Sequence, residues 1–95
     1  MTKIAWTRRA IDDVLAIRSF IAQDSPQSAA LVARRIIDAV ERLAEFPESG
    51  RVVPELNDAH VREVIHGPYR IVYRRVENTV HVVTVHHAAR LFPPL

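Results

Sequence analysis

Arg70, Arg74, His81 and His87 are the residues whose types and spacing point most directly to chemistry. Guanidinium groups make planar, bidentate contacts to phosphate or carboxylate, and imidazole changes charge near neutral pH. Together they describe an anion or phosphodiester site with a group able to move a proton. The same side chains also describe a solvated sheet face with ordinary surface charge. Cysteine is absent, which excludes disulfides, thiolate nucleophiles and cysteine zinc sites and leaves His, Asp and Glu as possible metal ligands. His86 and His87 are adjacent, so in a strand they point to opposite faces and cannot chelate one ion. No metal site is expected.

Those residues fall in a region of period two. Val61 to His66, Tyr69 to Val76 and Thr79 to His86 read as strands separated by Gly67-Pro68 and Glu77-Asn78, which predicts an antiparallel meander. A two-residue turn at Glu77-Asn78 places Arg70 opposite Val85, Val72 opposite Val83 and Arg74 opposite His81. Alternation then puts Ile71, Tyr73, Val80 and Val82 on the core side, and Arg70, Arg74, His81 and His87 together on the other. Tyr69 and Tyr73 are expected to point inward as structural residues. Arg62 beside Glu63 reads either as a functional position or as an edge-strand ion pair.

The sheet needs a cover, and the N-terminal half supplies it. Lys3 to Trp6 reads as a strand, followed by Thr7 as an N-cap and by Ala10, Val14, Ile17 and Ile21 at helical spacing through about Gln23. Ser25-Pro26 caps and opens a second helix whose stripe is Ala29, Ala33, Ile36, Val40 and Leu43, with Pro47 marking its end. So short a turn forces the two helices into an antiparallel hairpin. Residues 47 to 60 read as a loop with a brief extended piece around Val52 and Val53. The expected fold class is α+β: an N-terminal strand, then an antiparallel two-helix hairpin packed on a three-stranded antiparallel meander in two layers.

Ninety-five residues make one domain, 1–95, with one small core and no room for a large cofactor. A hydrophobic fraction of 48% with 25% charged residues argues against intrinsic disorder. No stretch is apolar enough to span a bilayer, and the N-terminus lacks a signal peptide's h-region, so no membrane association and a cytoplasmic location are expected. The net charge is only +2, yet the cations are 12 Arg against one Lys. The second half carries six basic and four acidic residues plus all five histidines, so an anionic partner would meet that half.

The order Arg62-Glu63, Tyr69-Arg70-Ile71-Val72-Tyr73-Arg74, Val85 and His87-Ala88-Ala89-Arg90, ending near Pro93, resembles the C-terminal signature of the RelE/ParE toxin superfamily. Trp6, Ala10, Asp12-Asp13, Ile17, Ile21, Pro26, Ala29, Leu43, Pro47 and Gly50 are similar to the two-helix half of the same family. The resemblance implies the toxin of a bacterial type II toxin–antitoxin pair, often described as a plasmid stabilisation protein. Its implied partner is a cognate antitoxin, of the ParD-like ribbon-helix-helix kind for a ParE-like toxin, whose C-terminal segment wraps around the toxin.

Two activities follow from that resemblance. ParE-like members inhibit DNA gyrase and have no established catalytic site; RelE-like members cut mRNA on the ribosome. Cleavage through a 2'-OH needs a base, an acid and a cation for the phosphorane, roles that the resemblance would give to Glu55, His87 and Arg70. The sparse lysine content and the Leu91–Leu95 ending fit the gyrase reading better, with Arg62, Arg70, Arg74, His87 and Arg90 as target-binding residues and no cofactor. Ile11, Leu15 and Leu31, off the core stripes, are the expected apolar landing points for the antitoxin.

Overall fold

The computed structural model describes residues 2–95. Five strands and two helices run in the order β1 (Lys3–Trp6), α1 (Arg8–Ala22), α2 (Pro26–Glu41), a 3-10 turn (Arg42–Ala44), β2 (Arg51–Val52), β3 (Val61–His66), β4 (Tyr69–Val76) and β5 (Thr79–His87). The sheet order is β1-β5-β4-β3-β2, with β1 parallel to β5 and the other neighbours antiparallel. This is the expected α+β arrangement. The predicted extended piece forms as β2, one residue earlier than Val52 and Val53. No helix among the described residues is long and apolar enough to cross a membrane.

Both helices start where their caps demand. Thr7 Oγ1 accepts from the Ala10 amide at 3.1 Å, and Ser25 Oγ accepts from the Ser28 amide at 3.2 Å with Pro26 at the first helical position. The helical stripes bury Ala10, Val14, Ile36, Val40 and Leu43 against Ile71, Tyr73, Val80, Val82 and Val85 of the sheet, and Ala29 is buried as well. Tyr73 points inward as expected; its hydroxyl donates to Pro47 O at 2.8 Å and accepts from the Gly50 amide at 3.1 Å. Gly50 has to be glycine here, because a Cβ would stand 2.6 Å from the Tyr73 hydroxyl and 2.7 Å from Glu63 O.

Two expectations fail, for one reason each. The register predicted from Glu77-Asn78 holds for Val76 with Thr79, Arg74 with His81 and Tyr73 with Val82, but then a bulge leaves Val83 unopposed. Beyond it, Val72 pairs with Thr84, Ile71 with Val85, Arg70 with His86 and Tyr69 with His87. One extra residue inverts the facing of everything after it. Arg70 therefore shares its face with His86, whereas His87 sits on the helix side, its ring edge-on to Tyr69 at 5.6 Å between centroids. The grouping of Arg70, Arg74, His81 and His87 on one surface is corrected accordingly, and the strand runs to His87 rather than His86.

The second failure concerns the face away from the helices, which is not open. Val53, Val61 and Val72 are fully buried there and Phe92 of the C-terminal tail packs on them. A short turn after β2 and the tail roof that side, giving the sheet a small second core.

Candidate functional site

The roofed face is built around Arg70. Position 70 lies in phase with Val72, and the β3–β4 register sets it opposite Ile65, two pairs along from Glu63 and on the same face. Glu63 occupies a strand position in phase with Val61, so its side chain is carried inward and is 0% exposed. Two guanidinium groups compensate that buried carboxylate: Arg70 Nε donates to Oε1 at 2.6 Å and Arg51 Nε to Oε2 at 2.8 Å.

Glu55 completes the cluster. Val53 O accepts from the amides of Leu56 and Asn57, with Asn57 at φ 49, a left-handed conformation that asparagine tolerates. This tight turn brings Glu55 over the sheet, where its two oxygens take Arg70 Nη1 and Nη2, each at 2.7 Å. The Arg70 hydrogen bonds hold the Glu55 carboxyl well below the usual carboxylate range, at about 2. Glu55 first and Glu63 second push the Arg70 guanidinium further up. Phe92 lies across the remaining surface, its ring centroid 4.8 Å from Arg70 Cζ.

The arrangement is a neutral chain of two arginines and two glutamates with every Arg70 nitrogen engaged. Chemically it fastens the 53–57 turn and the tail to the sheet. Of the two readings of Arg62, the ion pair with Glu63 does not form, since neighbours in a strand point to opposite faces; Arg62 Nη1 instead donates to Gly50 O at 2.9 Å on the helix side.

The remaining predicted residues are scattered. Arg74 is exposed beside His81 on the Arg70 face. Arg90 follows β5, its amide bonded to His87 O and its carbonyl accepting from His86 Nε2 at 3.0 Å. His87 Nδ1 accepts from the Ala89 amide at 3.1 Å, which places the ring hydrogen of the neutral imidazole on Nε2. His87 and Arg90 line a groove of about 390 Å³ with Arg9, Phe20 and Tyr69, across the sheet from Arg70. Ile11, Leu15 and Leu31 are exposed on the helices, at 42%, 52% and 48%.

Glu63, Arg51 and Phe92 escaped the sequence reading. The signal for Glu63 was its phase, a carboxylate in step with Val61 and facing the same side as Arg70. Phe92 carried no local signal, because the tail that delivers it has no regular structure.

Comparison with known proteins agrees along nearly the whole chain. The model of a family described as the ParE toxin of the type II toxin-antitoxin system, parDE, matches residues 4–92. The chain is 45% identical over 92 residues to Toxin RelE2 of Caulobacter vibrioides, covering 96% of this chain and all of that one. It is 37% identical over 93 residues to the Y4kP protein of Sinorhizobium fredii, covering 96% and 93%. A solved structure described as the chromosomal ParDE system from P. aeruginosa superposes with a TM-score of 0.75 at 21% identity, over 92% of this chain and 96% of that one. The last likeness speaks to the fold.

Proposed function

The chain belongs to the ParE toxin family of type II toxin–antitoxin systems, and from that premise we propose that it arrests growth as a non-enzymatic inhibitor of DNA gyrase. A ParD-like ribbon-helix-helix antitoxin, encoded in the adjacent reading frame, neutralises it. The observation that supports this reading is the state of the residues that RNA cleavage would need. Arg70 has all its nitrogens on Glu55 and Glu63, and His87 stands on the other face of the sheet. An acid and a phosphate clamp on opposite surfaces cannot act on one phosphodiester.

Arg74 and Arg90 remain available as exposed cations for a macromolecular target. The test is a gyrase supercoiling assay run beside a ribosomal translation mixture. Supercoiling falls with added toxin while the message stays intact. Unperturbed supercoiling rejects the reading.

One finding favours a second reading, the RelE name carried by the Caulobacter relative. Under it the translation mixture yields cleaved message, and both Arg70→Ala and His87→Ala abolish the product.

A further inference from the structure

β1 ends at Trp6, opposite Val82, so the second half of β5 has no strand on that side, and α1 lies along it instead. Asp13 of that helix occupies part of the edge. Its Oδ2 accepts from the Val85 amide at 3.0 Å and from the Thr84 hydroxyl. Backbone polar groups alternate along a strand, so the His87 amide points the same way as that of Val85. Ala88, in the other phase, donates toward the β4 side, to Pro68 O at 2.8 Å. The positions that follow Asp13 on this face of α1 are Ile17 and Phe20, whose side chains carry no acceptor. The edge therefore takes one anionic oxygen from its own helix and presents a second donor, the His87 amide, for which α1 supplies none.

That donor faces the groove of about 390 Å³ between α1 and the end of β5. Ile17 and Val85 give the groove an apolar floor, Phe20 and Tyr69 give it aromatic sides, and Arg9 and Arg90 bring two guanidinium groups. Phe20 is 68% exposed, an unusual cost for an aromatic ring. Arg90 is exposed and forms no ion pair among the described residues. Arg9 Nη1 donates to Pro94 O at 2.8 Å, which draws the tail across the groove and keeps its positive charge there. The one carboxylate in the lining, Asp13, already has an oxygen committed to Thr84 and Val85.

We propose that this groove binds a single nucleotide, its base laid against Phe20 and Tyr69 and its phosphate held by the His87 amide with Arg90 and Arg9. Two guanidinium groups and an outward amide suit an anion with several acceptor oxygens. The aromatic sides suit a planar ring, which a bare phosphate or an acidic side chain lacks. The volume is that of a small-ligand pocket.

An amide-resolved NMR titration of the full chain with adenosine monophosphate tests the site, beside adenosine, inorganic phosphate and a short single-stranded oligonucleotide. The monophosphate shifts the His87 amide and the amides around Phe20, and adenosine and phosphate each bind at least roughly ten-fold more weakly. Both side chains of the test are exposed, so the variants keep the wild-type spectrum. Phe20→Ala weakens the monophosphate and adenosine alike, by about ten-fold, whereas Arg90→Ala weakens the monophosphate by a similar factor and leaves adenosine unchanged. A His87 amide that does not respond overturns the proposal, as does a response centred on Glu55 and Arg70, which lie across the sheet. Phosphate binding as tightly as the monophosphate reduces the groove to an anion seat and overturns the nucleotide assignment. An oligonucleotide that shifts these amides where the monophosphate does not assigns the groove to a strand and overturns it too.

Discussion

Glu55 and Arg70, fifteen positions apart in sequence, meet as a fork on a fork, both carboxylate oxygens 2.7 Å from the two terminal guanidinium nitrogens. That geometry is the one a phosphate would take from the same arginine. The 53–57 turn thus fills the seat that an open, cationic sheet face would have offered to an anion.

The pair makes acid stability depend on Glu55. Its carboxyl titrates near 2 in the folded chain against an ordinary value of 4.5. A depressed folded value means the contribution is fully present above about pH 4.5 and is lost as pH falls toward 2. The urea midpoint of the wild type is expected to drop over that window, and Glu55→Gln is expected to show a shallower drop. Parallel curves for the two proteins would show that Glu55 is not a source of the dependence.

Glu63 is the member whose loss should matter most. Removing a fully buried carboxylate leaves Arg70 and Arg51 with only the charge of Glu55 between them, and breaking a buried pair costs about 3–5 kcal/mol. Glu63→Gln is therefore expected to lower the free energy of unfolding by that order. Glu48→Gln, which removes an exposed partner of Arg75, should change it by less than about 1 kcal/mol. Equilibrium urea denaturation distinguishes the two.

The elements were legible in the sequence because each carried a local signal. Thr7 and Ser25-Pro26 announced the helix starts, the Ala29 to Leu43 stripe fixed the buried face of α2, and Gly67-Pro68 and Glu77-Asn78 divided the strands. The site was not legible, for two reasons. A bulge is one residue long and is held from elsewhere in the chain: Thr7 Oγ1 donates to Val82 O and Val83 O, and Asp13 Oδ2 accepts from the Thr84 hydroxyl and the Val85 amide. Glu55 and Phe92 reach Arg70, and Arg51 reaches Glu63, from irregular segments or a two-residue strand, where no period exists to read.

Gly50→Ala offers a check on the helix-side packing. The added methyl would press on both the Tyr73 hydroxyl and Glu63 O, and relief would break the hydrogen bond from the Gly50 amide to that hydroxyl. A loss of about 1–3 kcal/mol is expected, as for other overpacked positions. Tyr73→Phe in the Gly50→Ala background should recover part of it, which thermal melts of the single and double variants would reveal.

His87 gives the functional counterpart. Its ring borders Tyr69 and the 390 Å³ groove rather than Arg70. On the gyrase reading, with the exposed Arg74 and Arg90 left to meet the target rather than His87, His87→Ala retains growth arrest on induction to within about three-fold in the dose required, since no proton transfer depends on it. Complete loss of toxicity with an unchanged circular dichroism spectrum would count against that reading.

The unopposed Val83 has a consequence for how such chains diversify. Deleting that one codon would close the bulge and leave Thr84 to His87 opposite Val72 to Tyr69, so His86 would stay beside Arg70 and His87 on the helix side. One residue inserted beyond it and taken up without a second bulge would instead bring Val85 opposite Arg70 and carry His86 to the helix side, so strand length in β5 governs the surface chemistry of the fold more sharply than a substitution at either histidine.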